Sequence, residues 1–232
     1  MLNIILAESA IERIPESLWA HSEVLKKPNT LNKKPGQILL DRSYHHRAML
    51  RLKDNEKRGR PDIVHFCLLE SLGSPLNKEN LLRTIVHTFD NYTIHLNPEV
   101  RLPRNYNRFI GLVEQLYELG RIGENDKILL ELKKGNVRII VEDVKPSYVI
   151  AFTREGRPQT LHETVLTLAR KENPLVLIGG FPRGHFSDET KKAVNELVSI
   201  DPEMLEAWTV TSRLIYEYES VIQLPEKRLR RI

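Results

Sequence analysis

Short apolar runs alternate with amphipathic stretches along this chain, which is the pattern of an α/β protein. The runs read as strands at 2–7, 38–40, 63–69, 92–96, 128–132, 137–141, 148–152 and 175–178. Lys133-Lys-Gly-Asn136 separates the fifth run from the sixth, so those two are expected to form a hairpin. Helical spacing is clearest at 107–119, 161–170 and 209–223. The second of these opens on Thr160 with Glu163 three residues later, the pair that caps free amides reciprocally at a helix start. In the third, Leu214, Ile215, Tyr218 and Ile222 form an apolar stripe that reads as intramolecular core on its own terms. The polar, proline-punctuated stretch 26–36 is expected to be a mobile loop. With no internal repeat and no long low-complexity linker, a single domain over 1–232 is the simplest organisation.

Composition narrows the class. The 232 residues are 41% hydrophobic and 28% charged, enough for a sizeable core. No apolar run approaches the ~20 residues that cross a bilayer, and the first residues lack a basic leader and cleavage region, so a cytoplasmic protein is expected. Cys67 is the only cysteine, which excludes an internal disulfide and a thiolate metal cluster; inside an apolar run it reads as a core residue. The 35 basic residues outnumber 31 acidic ones by only four. Their placement says more than the sum, because they gather at 57–60, at 101–108 and in the tail 225–232. Such a discontinuous basic surface is the footprint of a nucleic-acid binder, although terminal basic residues often only solvate.

Three local patterns carry candidate chemistry. In Arg101-Leu-Pro-Arg104-Asn-Tyr-Asn-Arg108, three arginines and Tyr106 share a span without an acid. If a helix starts just after Pro103, Arg104 and Arg108 lie on one face and Arg101 approaches from the loop. Guanidinium groups bind phosphate oxygens bidentately and stack on bases, so this cluster points to a polyanion. Tyr106 reads equally as a base-stacking residue or as a packing residue at the helix start. Second, Gly179-Gly180-Phe-Pro-Arg-Gly184 follows a buried strand, where glycines let backbone approach a ligand. It lacks the lysine and serine or threonine of a phosphate-binding P-loop. Third, in Arg60-Pro-Asp62 the carboxylate is placed to orient the guanidinium across a stiff proline. His45, His46 and His65 lack metal-ligand spacing with supporting cysteines or acids, and no metal is expected.

Taken in order, 40–49, 58–65, 97–109, 179–184 and Ala207-Trp-Thr-Val-Thr-Ser-Arg213 resemble the archaeal branch of the SPOUT-class ribosome-biogenesis pseudouridine methyltransferases, over nearly the whole chain. The resemblance implies an α/β fold with a largely parallel central sheet flanked by helices, family-specific insertions and a small β-hairpin element. It also implies a trefoil knot holding the cofactor within about 148–223, and a homodimer. The implied activity is methyl transfer from S-adenosylmethionine to N1 of a pseudouridine in small-subunit rRNA. Ribosomal proteins or assembly factors are further possible partners, and a membrane is not. By position, Arg60 becomes an RNA-contacting catalytic residue steadied by Asp62, and Arg101, Arg104 and Arg108 become rRNA contacts. Cofactor contacts fall to Phe152 or Thr153, Gly179, Gly184, His185, Phe186, Leu205, Glu206, Ala207, Trp208, Thr209 and Val210. Two alternatives use the same residues: an rRNA-binding assembly factor whose methyl transfer is secondary, and a methyltransferase with another acceptor.

Overall fold

The computed structural model describes residues 1–26, 33–124 and 126–231. Among them run eight strands: β1 (Leu2–Ser9), β2 (Leu82–Thr88), β3 (Tyr92–Leu96), β4 (Arg121–Glu124), β5 (Lys127–Lys134), β6 (Val149–Pro158), β7 (Leu175–Gly179) and β8 (Glu196–Ser199). They form one sheet in the order β4-β5-β3-β2-β1-β7-β6-β8. From β2 to β8 every pairing is parallel, whereas β3, β5 and β4 join antiparallel at the other edge. The helices are α1 (Ser22–Lys26), α2 (Arg42–Met49), α3 (Pro61–Gly73), α4 (Pro75–Lys78), α5 (Tyr106–Leu119), α6 (Val137–Val144), α7 (Leu161–Ala169), α8 (Asp188–Lys192), α9 (Ala207–Val221) and α10 (Leu224–Leu229).

Strand β1 is buried along its whole length, and its alternate residues serve two cores. Leu2, Ile4 and Leu6 join Ile63, Val64, Phe109, Val165 and Leu214 from α3, α5, α7 and α9 on one face. Ile5 and Ala7 join Val137, Ile140 and Val144 of α6, with Phe186, on the other. Helices on both faces explain why the parallel strands read as apolar runs with little polar alternation.

Two expected strands are helices. The run 63–69 lies within α3, which is buried on several sides between the sheet, α5 and α9 and so has no clean polar face. A short apolar run does not distinguish a buried helix from a buried strand, and the discriminating signal is Pro61 in the first turn. The run 137–141 lies in α6. Asn136, read as a hairpin residue, is instead its N-cap, accepting a hydrogen bond from the Ile139 amide. The real terminal hairpin is β4 with β5. At 38–40 only Leu39 forms an isolated bridge, with Arg13. The short strands β4 and β8 and the fully flanked β2 have no counterpart among the expected strands.

The expected loop at 26–36 falls mainly on residues outside those described; residues 35–37 form a 3-10 turn. The Thr160 and Glu163 cap forms as expected. In the basic tail, Arg228 of α10 and Arg231 just beyond it both pair with Glu79, at 2.8 and 2.7 Å, so the tail does more than solvate. Cys67 is wholly buried, and burial pushes its thiol up to about 12.

Strand β6 carries the one irregularity that matters for the site. It pairs with β8 through Phe152, leaves the sheet, and returns with Arg157 opposite the same Val198. Residues 153–156 therefore bulge out of the sheet plane. Gly156 lies against the Val198 backbone, where a Cβ would stand 2.4 Å from its nitrogen, so only glycine permits this approach.

Candidate active site and RNA-binding surface

At the β6 bulge and beyond the carboxyl ends of β7 and β8, three segments enclose a cavity, close to the position where ligands lie in open α/β sheets. The β6 bulge contributes Phe152, Thr153 and Arg154. Gly179 and the loop from Phe181 to Phe186 form a second wall, and the segment from Ser199 to Val210 forms the third. Every residue assigned by resemblance to the cofactor lines this cavity except Trp208 and Thr209. Trp208 points instead toward α3, its ring 5.4 Å from that of Phe66. The reason is helical geometry, since Ala207 and Val210 face inward from the first turn of α9 and their neighbours cannot.

The lining is mixed. Ile178, Phe186, Leu205 and Val210 offer apolar surface, while Asp201, Glu203 and Glu206 place carboxylates around it. Such a site suits a flat apolar ring system with a polar, positively charged arm. Asp201 and Met204 escaped the sequence reading. The signal available was Asp201-Pro202, a turn dipeptide three residues after the apolar pair Leu197 and Val198. Among the described residues no group of three or more His, Cys, Asp and Glu side chains is placed to hold a metal ion.

Gly180 ties this loop to β1. Its amide donates to the Ala7 carbonyl, and its own carbonyl accepts from the Ala10 amide at 2.8 Å. A Cβ at 180 would stand 2.1 Å from Ser9 Oγ, which excludes any side chain. Ala10 in turn accepts from the Arg60 amide at 3.3 Å, so two backbone hydrogen bonds connect Arg60 to the cavity wall.

Arg60 is the N-cap of α3, and its side chain is held as the two-residue spacing suggested. Nε and one terminal nitrogen donate to the two oxygens of Asp62, each at 2.8 Å. This bidentate pair raises the guanidinium above its usual value, with Glu206 of the cavity rim and Tyr106 adding to the effect. The remaining guanidinium donors stay available to a ligand, because Arg60 is about one-third exposed. One turn further on, Ile63 lines the cavity itself.

The other two basic residues of 57–60 do not form a surface patch. Arg58 is 8% exposed and donates to both Glu12 oxygens at 2.7 and 2.6 Å, while its guanidinium lies over the Phe89 ring. Lys57 is likewise turned inward, to Glu8.

Arg101, Arg104 and Arg108 are exposed, and among the described residues none of their guanidinium groups meets a carboxylate. Arg104 is not on the helix with Arg108, as had been expected. The chain between them turns at Asn105, whose side chain caps α5 by accepting from the Arg108 amide, so Arg104 stays in the loop with Arg101. That loop is fixed from beneath. His65 Nε2 donates to the Pro103 carbonyl at 2.7 Å and stacks on Phe109 with ring centroids 4.3 Å apart. Tyr106 donates to Asp41 at 2.6 Å, and the other Asp41 oxygen accepts from the Ser43 amide at the start of α2. Burial, then this hydrogen bond, hold the phenol far above its usual pKa. Tyr106 is thus a packing residue, and His65 a structural histidine.

A family model described as EMG1/NEP1 methyltransferase matches residues 4–219. The chain belongs to this family. Among its EMG1/NEP1 relatives is the ribosomal RNA small subunit methyltransferase Nep1 of Thermococcus kodakarensis, 42% identical over 97% of this chain and 100% of the relative. The Nep1 of Staphylothermus marinus is 42% identical over 96% of this chain and 97% of its own. The crystal structure of Archaeoglobus fulgidus Nep1 bound to S-adenosylhomocysteine superposes with a TM-score of 0.84 at 40% identity, covering 95% of this chain and 98% of that one. The eight-stranded sheet with helices on both faces is accordingly the SPOUT-class architecture of an EMG1/NEP1 methyltransferase.

Proposed function

We propose that this protein transfers the methyl group of S-adenosylmethionine to N1 of a pseudouridine in small-subunit rRNA. The observation that carries the reading is the junction at Ala10, which joins the wall of a carboxylate-rimmed cavity to the Asp62-clamped Arg60. The cofactor supplies an electrophilic methyl on a cationic sulfonium. The acidic rim of Asp201, Glu203 and Glu206 suits that charge, and the apolar lining suits the adenine. The small-subunit rRNA named for the relatives suits the three exposed arginines.

Catalysis on this reading is chiefly positioning. Holding the base and the cofactor at attack distance removes several kcal/mol from the barrier, up to about 7–11 in the best oriented systems. As N1 loses its proton, negative charge develops on the base, and Arg60 is oriented by Asp62 to stabilise it. A base paired in a duplex hides the reacting edge, so the target belongs in a loop where it flips out. The protein acts in the cytoplasm as a homodimer, with the knotted cofactor part within 148–223. The half-exposed Phe66, beside Trp208 on α3 and α9, supports a partner surface there.

The deciding experiment supplies labelled S-adenosylmethionine and matched RNA hairpins carrying uridine or pseudouridine at one loop position. Methylation of the pseudouridine hairpin alone is the expected result; tight binding of both without methylation would instead favour an rRNA-binding assembly factor. The arginine surface makes a separate prediction. Replacing Arg101, Arg104 and Arg108 together with alanine should flatten the dependence of log affinity on log salt by about 2, because each single-strand phosphate that an arginine neutralises adds roughly 0.7 to that slope. An unchanged slope in filter binding would remove these residues from the RNA interface.

A further inference from the structure

At the carboxyl end of β1 the chain passes through a left-handed residue, Glu8, with φ 50°. Its carboxylate is buried yet fully engaged. One oxygen accepts from both the amide and the hydroxyl of Ser187, at 2.8 and 2.7 Å. The other accepts from the Lys57 ammonium at 2.7 Å. Glu8, Lys57 and Ser187 do not line the cavity themselves.

Their contacts nevertheless span the loop that does. Ser187 closes that loop. Near its start, the Phe181 ring lies under the Lys57 ammonium, 4.3 Å from nitrogen to centroid. At its middle, Gly184 adopts φ +98°, and the Lys57 stem fills the space where a side chain would project, with Cε 3.1 Å from the Cβ position. One ion pair therefore touches the beginning, middle and end of the wall. The strand behind it does not depend on this pair, because β1 is held by β2 and β7, and Gly180, the residue just before the loop, is fixed by Ala7 and Ala10.

We infer that the Glu8–Lys57 ion pair is a positioning device for the cofactor wall, setting the 181–187 loop in its binding shape. It rests on the reading of this cavity as the S-adenosylmethionine site. A charge pair is costly to bury and is strongly missed when one partner goes, because the other charge is left without compensation. A loop that keeps its binding shape for only a fraction of the time weakens apparent affinity by that fraction, while the bound complex still reacts. The pair thus governs cofactor affinity, and Arg60 with Asp62 governs the chemical step.

The test titrates S-adenosylhomocysteine calorimetrically into the full-length protein and its variants, alongside steady-state kinetics with the pseudouridine hairpin. Glu8→Gln and Lys57→Met are expected to raise the dissociation constant and the KM for S-adenosylmethionine about tenfold or more, with kcat at saturating cofactor held within about threefold. Hairpin affinity stays unchanged. Ser187→Ala, which keeps the amide hydrogen bond, gives a smaller rise, and Lys57→Arg restores binding by preserving the charge. Should Glu8→Gln not fold, Lys57→Met and Ser187→Ala carry the test. Cofactor affinity within twofold of the unsubstituted protein would overturn the inference, as would an equal fall in kcat and hairpin affinity. If the unsubstituted protein binds S-adenosylhomocysteine but methylates no pseudouridine, only the acceptor assignment fails; if it does not bind the ligand, both fail.

Discussion

Arg60→Ala is expected to lower methyl transfer to a pseudouridine hairpin roughly 10²- to 10³-fold, the usual effect of removing one preorganised donor from a developing negative charge. Affinity for S-adenosylhomocysteine should be preserved, because the Arg60 side chain points to Asp62 and the link to the cavity wall runs through its backbone amide. Asp62→Asn should give a smaller loss. It keeps a hydrogen-bond acceptor but surrenders the charge that fixes the guanidinium bidentately. Single-turnover rates measured beside cofactor binding separate the possibilities. A variant that stops binding S-adenosylhomocysteine would place Arg60 in the cofactor site and leave the base without its proposed stabiliser.

The largest effect on stability is expected at Arg58. Its guanidinium and the Glu12 carboxylate are both nearly excluded from solvent, at 10% and 4% side-chain exposure. Arg58→Met leaves Glu12 buried without a counter-charge, an arrangement that costs roughly 3–5 kcal/mol. The sign of its pH dependence follows from the carboxyl. Burial already raises Glu12 above its usual value, with the hydrogen bond and charge of Arg58 opposing the rise. Removing Arg58 removes the opposition, so the folded-state pKa moves further above the unfolded one. A group raised in this way favours the folded state below its unfolded pKa, and that contribution is lost as pH climbs through the folded value. Denaturant melts should therefore show the variant closest to the parent protein near pH 5 and furthest from it near pH 8. A uniform deficit would mean that the missing packing against Phe89 dominates.

What could be read before folding was local or periodic. Thr160 and Glu163 announce their cap because both partners sit within one turn. Arg60 and Asp62 meet because a single proline separates them. The reading failed where the outcome depends on surroundings. Helix α3 is apolar on nearly every side because sheet, α5 and α9 enclose it, so no polar face betrays its period. Asn136 reads as a turn residue in sequence, and only the helix formed by the chain beyond it makes it a cap. The cavity shows the same division. Its glycines were visible as punctuation after β7, but the closeness of Gly180 to Ser9 is an approach across 171 positions that no local pattern encodes. Motif order identified the family over nearly the whole chain, and helical phase then excluded Trp208 and Thr209 from the cavity.

The place of β1 between β2 and β7 bears on how the chain is made. Asn3 bonds to the Pro174 carbonyl across 171 positions, so one side of the central strand waits for a segment synthesised much later. At about 5–20 residues per second that interval is roughly 10–35 s. Meanwhile β1 can pair on its β2 side, but its other edge, carrying Ile4, Ile5 and Leu6, stays open in a nascent chain. The parallel core therefore closes only after β7 emerges, and the cavity proposed for the cofactor, built on the β6 bulge and the ends of β7 and β8, is among the last features to exist. Growing chains should depend on chaperones that mask strand edges until that point, and should bind no cofactor before it.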